Sequence, residues 1–190
     1  MTQTLSLISM VLVFIGTFRY LWSIYQGNQP EKISWCIWVC IDCILAYQMY
    51  AAGTLNLQMS ATVAMTTIIA LYALARGKPG WTWYDIASVA GSVFGVYLWF
   101  KLESVTIGIL MSGLVMLIGS VPICIAAWEN PKREDIVSWL IFFASTIAQL
   151  LATPEWSLDY IVQPITFFVV QSTLISIITW RSLSHRQRYA

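Results

Sequence analysis

Seven apolar stretches of membrane-spanning length dominate this chain, and the cationic residues around them fall almost wholly on one side. A helix needs about 20 mostly apolar residues to cross a bilayer. The stretches lie near residues 5–25, 33–52, 58–75, 82–100, 105–127, 136–152 and 160–180. The connections after the first, third and fifth stretches, the span ends beside them and the C-terminal tail hold Arg19, Lys32, Arg76, Lys78, Lys132, Arg133, Arg181, Arg186 and Arg188. The opposite side holds Lys101. Lys and Arg accumulate on the cytoplasmic side of membrane proteins, so this bias predicts an external N-terminus and a cytoplasmic C-terminus. An odd number of spans agrees with that.

At 58% hydrophobic and 10% charged, the composition is far from that of a soluble domain, which is about a quarter charged. It predicts an all-α, multi-pass integral membrane protein, with the plasma (inner) membrane as the expected location. One bundle uses the whole length, which argues against a soluble catalytic domain. No basic surface extends beyond the cytoplasmic rim, so nucleic acid is not an expected partner; the lipid bilayer and a small polar solute are, and homo-oligomerisation is left open. Met1-Thr-Gln-Thr4 carries no basic residue before the first apolar run, which reads as a span and not a cleaved signal. Backbone groups in lipid must be satisfied internally, so each stretch is expected to be a helix. Gly27-Asn-Gln-Pro30, Gly77-Lys-Pro-Gly80, Asn130-Pro131 and Thr153-Pro154 mark the breaks between them.

The chain repeats. The second stretch opens Pro30-Glu-Lys-Ile-Ser-Trp35, and the sixth opens Pro131-Lys-Arg-Glu-Asp-Ile-Val-Ser-Trp139. Each has a proline, a charged turn, a β-branched residue and Ser-Trp. Arg76 and Arg181 close the third and seventh stretches at nearly the same offset. Two parallel three-helix units, 5–75 and 105–180, joined by a linker helix, 82–100, account for this spacing; residues 181–190 form a cytoplasmic tail. Parallel repeats of this kind are a transporter design, with the site at the repeat interface near the midplane.

This 3+1+3 layout resembles the SWEET sugar transporters and the wider PQ-loop superfamily. Pro30 and Pro131 stand where that group has a proline-containing motif opening the second helix of each repeat, although no Pro-Gln dipeptide occurs here. The layout is also similar to that of bacterial nicotinamide riboside transporters, and Trp35-Cys-Ile-Trp38 resembles their Trp-x-x-Trp motif. The resemblance implies two units rocking about a central site. In SWEET transporters helices 3 and 7 carry an asparagine pair that holds the sugar. This chain has none there, and Gln171 is the nearest analogue.

Asp42 is the most informative single residue. It sits about nine residues, or ~13 Å, into the second span. An ionisable group at that depth is costly and is a functional candidate by default. Trp35, Trp38, Asp42 and Leu45 share one helix face, two aromatic walls with a carboxylate deeper in. Against this stands a structural reading, a hydrogen-bonded carboxyl holding helices together. Arg19 is a candidate coupling partner for Asp42, or an arginine snorkelling to the interface. Thr66 and Thr67 are mid-span in the third helix, and Gln171 is mid-span in the seventh, the counterpart of Thr66. Trp139 matches Trp35 across the repeat. Gln149 and Gln48 lie near outer ends and suit interhelical hydrogen bonds. The candidate solute-binding set is Trp35, Trp38, Asp42, Thr66, Thr67, Trp139, Gln149 and Gln171.

Cys36, Cys40 and Cys43 form a stripe on one helix, but the lone histidine, His185, lies in the tail; buried cysteines usually act as small apolar residues, and no metal site is expected. Gly91 and Gly95 offer a small-residue face for helix contact. No nucleophile–base pair or phosphate loop appears, so neither an enzyme nor a cofactor is expected. The leading expectation is a small secondary transporter or facilitator. The alternative is a seven-helix receptor or sorting protein that binds a ligand without moving it.

Overall fold

The computed structural model is helical and describes residues 2–77, 81–102 and 104–187. Lys78, Pro79, Gly80 and Arg188 lie outside the described residues, as do the side chains of His185 and Arg186. The helices are α1 (Thr2–Tyr25), α2 (Lys32–Ala51), α3 (Leu57–Arg76), α4 (Trp83–Leu102), α5 (Val105–Gly119), α6 (Val121–Glu129), α7 (Ile136–Ala152) and α8 (Leu158–Gln187), with one 3-10 turn at Pro131–Arg133. Among the described residues, five segments are long and apolar enough to cross a membrane: α1, α2, α3, the α5–α6 unit and α8 up to Ser184. The chain is a multi-pass membrane protein by that measure. The other two expected spans are also helical. Of these, α7 has 17 residues, at the lower limit of spanning length. Within the expected tail, α8 carries on through Arg181 to Gln187.

Local chemistry sets the helix ends. Gly27 (φ 109°) and Gly53 (φ 71°) end α1 and α2 in the left-handed region, where a side chain would be strained. Asn56 caps α3 by accepting the Met59 amide at 2.8 Å, and Asp135 caps α7 by accepting the Ser138 amide at 3.0 Å.

The expected fifth span, 105–127, is broken at Gly119–Ser120 into α5 and α6. Pro122 lacks an amide hydrogen and sits in the first turn of α6, where that loss is tolerated. The Ile123 amide bonds instead to Ser34 Oγ at 3.1 Å. A serine of α2 therefore repairs the break, and the repair ties α2 to the α5–α6 unit.

α3 lies against both α1 and α2, and α8 lies against both the α5–α6 unit and α7. Across the two halves of the chain, α1 packs on α7, the most extensive helix contact among the described residues, and α2 packs on α5. Each of these seams is built on a glycine. A Cβ at Gly16 would stand 2.6 Å from the Phe142 ring and 3.3 Å from Ile141, and one at Gly119 would stand 2.6 Å from Ile37 and 3.5 Å from Trp38. Gly95 and Gly91 seat α4 against Val115 and Ile118 of α5, which is the close contact expected of that small-residue face. Phe18, Leu71, Phe94 and Leu151 are exposed on the periphery, as suits a surface solvated by lipid.

Candidate solute-binding cavity

A cavity of about 70 Å³ is lined by α1, α2, α3, α5, α7 and α8. That is room for about two waters at their liquid share of ~30 Å³ each, or for part of a small solute. Its walls are mainly apolar. Trp35 and Trp38 of α2, Trp139 and Phe142 of α7, and Phe167 and Val170 of α8 all line it. Thr17 of α1, Asp42 of α2, Thr66 of α3 and Gln171 of α8 add polar atoms.

Asp42 is 1% exposed. Its Oδ2 lies 2.9 Å from the Thr66 hydroxyl, which lies equally 2.9 Å from the Thr62 carbonyl. A hydroxyl has one hydrogen, so Thr66 donates to one of these acceptors at a time. If Asp42 is ionised, Thr66 donates to it. If Asp42 is protonated, it can donate to Thr66 while Thr66 donates to the Thr62 carbonyl. The pair is thus competent in both states. Asp42 Oδ1, Gln171 Oε1 and Thr17 Oγ1 are buried and have no protein partner. Most buried polar atoms in proteins are hydrogen-bonded, and here three exceptions belong to residues lining one cavity.

Aromatic rings cluster at one end. Trp35 packs on Tyr20 at 5.1 Å, on Trp38 at 5.0 Å and on Trp139 at 6.1 Å between centroids. Behind them sits Glu134. Its Oε2 accepts from the Tyr20 hydroxyl at 2.8 Å and from the Trp139 indole at 2.9 Å, while the Trp35 indole donates to the Tyr20 oxygen at 3.2 Å. Burial pushes the Glu134 carboxyl up to about 7, against the pull of its two donors and with a further push from Glu31 and Asp135. Asp135, next door, is the opposite case. Burial works against its charge, but Arg19 and Ser138 outweigh that and hold it below the usual carboxylate range.

Amides and hydroxyls link helices at the other end. Asn56 donates to Gln163 at 3.0 Å, Gln163 to Gln58 at 3.0 Å, and Gln58 to the Ser145 hydroxyl at 2.9 Å. Ser145 and Ser9 then bond across α7 and α1, Ser9 Oγ donating to the Ser145 carbonyl at 2.7 Å.

The structure gathers six of the expected site residues, Trp35, Trp38, Asp42, Thr66, Trp139 and Gln171, around this one cavity. Three others are elsewhere. Thr67 is exposed and its hydroxyl turns back to the Val63 carbonyl at 2.7 Å, because it lies one position, or ~100°, round the helix from Thr66. Gln149 accepts from Ser6 at 3.1 Å and does not line the cavity. Arg19 does not reach Asp42; it grips Asp135 with Nε at 3.0 Å and Nη2 at 2.9 Å. Gln48 makes the interhelical bond expected of it, accepting from Ser112 at 2.8 Å. Cys40 and Cys43 are exposed on the outer face of α2. Among the described residues, no three His, Cys, Asp or Glu side chains converge as metal ligands would.

Thr17, Gln58, Ser145, Phe142 and Phe167 were not expected at the site, nor was Glu134 behind it. The glutamine pair did leave a trace. Gln58 and Gln163 are 105 residues apart and touch, the offset that relates Arg76 to Arg181. Comparison of the chain with protein-family models, with curated proteins and with solved structures finds no significant match.

Proposed function

We propose that this chain is a small secondary transporter or facilitator that moves a polar organic solute by rocking two three-helix units about the central cavity. The observation that carries the reading is the cavity itself, lined from both halves of the chain, with three buried oxygens of its lining residues unpartnered. Oxygens left bare in a buried site are expensive unless a ligand or water satisfies them. In this reading the aromatic cluster at one end and the polar network at the other open in turn, which is what alternating access requires of the helices around a fixed site.

Internal symmetry supports the same reading. Gly16 seats Ile141 and Phe142 where α1 meets α7; Gly119 seats Ile37 and Trp38 where α5 meets α2. Each member of the first set finds its counterpart in the second about 104 residues away, the offset of the two Ser-Trp motifs. Glu31 and Asp135 cap the starts of α2 and α7 at that same offset. Two parallel repeats joined by α4 account for these coincidences.

In this reading the N-terminus is outside and the C-terminus cytoplasmic, in the plasma membrane. The aromatic closure around Glu134 is then the cytoplasmic gate, and the Gln58–Gln163 network the outer one. A reporter fused after Ala190 is expected to be active in the cytoplasm; external activity would reverse the orientation.

The function is tested by loading proteoliposomes from a mixture of polar metabolites and reading their contents by mass spectrometry. Enrichment of a solute over protein-free liposomes is expected. A solute that binds the purified protein yet never accumulates or exchanges would make the chain a receptor.

A further inference from the structure

Asp42 is the only ionisable side chain among the described residues lining the cavity. No lysine, arginine or histidine of the described residues joins it there, and Arg19 is spent on Asp135. The polar residues that meet the cavity from the neighbouring helices are Thr17 on α1, Gln58, Thr62 and Thr66 on α3, Ser145 on α7 and Gln171 on α8. None of them titrates. Cys43, beside Asp42 on α2, is exposed on the other side of the helix.

An anion would find no cation in this cavity. The bare atoms are a carboxyl oxygen, an amide oxygen and a hydroxyl, two acceptors when Asp42 is ionised and one group that can act either way, so they favour a ligand that donates hydrogen bonds. The faces of Trp35, Trp38 and Trp139 favour a positive charge placed over them. A hard metal ion would want about six to eight oxygens, and three sites with aromatic walls do not supply them. An ammonium group with an organic body satisfies both the oxygens and the rings.

We propose that the cavity binds a monovalent organic ammonium ion in exchange for a proton on Asp42. This rests on the transport reading of the same cavity and names its substrate class. An ionised carboxylate alone at mid-membrane depth is costly, so Asp42 carries either a proton or the cation. The Asp42–Thr66–Thr62 relay accommodates both. When the ammonium enters, the Asp42 O–H bond breaks and its proton passes to water on the open side. The carboxylate then pairs with the cation. Release on the other side is matched by uptake of one proton there. One cation moves against one proton, and no net charge crosses.

The test uses the detergent-purified full chain with ammonium, methylammonium and benzylammonium as probes, and benzyl alcohol and benzoate as neutral and anionic controls. At least one ammonium probe is expected to raise the apparent melting temperature while both controls leave it unchanged. Its affinity should fall by about tenfold per pH unit on the acid side, with about one proton released per ion bound in weakly buffered solution. Asp42→Asn should abolish the response. The proton-release measurement needs no variant and decides the matter even if Asp42→Asn misfolds. No response to any ammonium probe, an equal response to benzyl alcohol, or binding without proton release would overturn the proposal. Binding with proton release but no exchange flux in proteoliposomes would keep this site and discard transport. Flux of a neutral solute without any ammonium response would do the reverse.

Discussion

Trp35 of α2 and Trp139 of α7 stack, their ring centroids 6.1 Å apart and their planes 26° from parallel. Each is the second residue of a Ser-Trp pair that opens its helix. Their indoles converge on one carboxyl, Trp139 directly on Glu134 and Trp35 through the Tyr20 hydroxyl. Two matching sequence motifs thus meet face to face at one end of the cavity, and the buried Glu134 behind them ties Tyr20 and Trp139 together.

That acid should make stability pH-dependent. A carboxyl whose pKa is raised from 4.5 to about 7 in the fold binds its proton more tightly folded than unfolded. Between those two values the folded state holds the extra proton, so stability falls as pH rises, by at most about 1.4 kcal/mol per unit for one group. Below the window the effect is fully present. Glu134→Gln keeps an acceptor for Tyr20 and Trp139 and removes the titration. Its melting temperature against pH should be flatter than the wild type's between about 5 and 7; an unchanged slope would point to another group.

Asp135 behaves with the opposite sign. Its pKa is lowered from 3.8, so its contribution is present at neutral pH and lost as pH falls below that value. It also caps α7. Asp135→Ala removes the cap together with the Arg19 pair and should cost about 1 kcal/mol or more in thermal unfolding. Arg19→Gln breaks the same half-exposed ion pair and leaves the cap, so its cost should be smaller. Equal losses would mean that the cap contributes nothing.

The two seam glycines predict a matched pair of defects. Alanine at Gly16 must displace the Phe142 ring, and alanine at Gly119 must displace Ile37. Overpacking of this sort typically costs about 1–3 kcal/mol. Gly16→Ala and Gly119→Ala should therefore lower the melting temperature by similar amounts. Gly91→Ala, whose nearest neighbour is Ile118 at 3.2 Å, should be milder. A strong effect at one seam and none at the other would count against equivalent seams.

Much of this architecture was legible in the chain because lipid leaves few choices. Apolar length and the ban on unpaired backbone groups dictate helices, and period places Trp35, Trp38 and Asp42 on one face. What period cannot supply is azimuth in a helix that is apolar all round. Thr66 and Thr67 are equivalent by depth, and which of them faces inward depends on how α3 packs. Arg19 was ambiguous for a related reason. A long side chain can serve several partners, and Asp135 was the nearer one in space although 116 residues away in sequence. The break at Gly119 had its signal in Pro122, but nothing local showed that Ser34 would satisfy the freed amide.

Asp42 offers the sharpest separation of function from stability. Its Oδ1 has no partner, and the only side chain that bonds its Oδ2, Thr66, has a second acceptor 2.9 Å away in the Thr62 carbonyl. Removing the carboxyl therefore leaves no donor stranded. Replacing an unsatisfied buried polar group is often neutral or stabilising. Asp42→Asn and Asp42→Leu should accordingly unfold at or above the wild-type temperature, while proton-dependent flux falls by about tenfold or more, the loss of one strong charge-assisted contact. A structural carboxyl would show the reverse. If Asp42→Asn lost more than about 2 kcal/mol of stability, as removal of a satisfied buried group does, and its residual flux matched the wild type at every pH, Asp42 would be a helix-packing residue and the cavity would need another source of coupling.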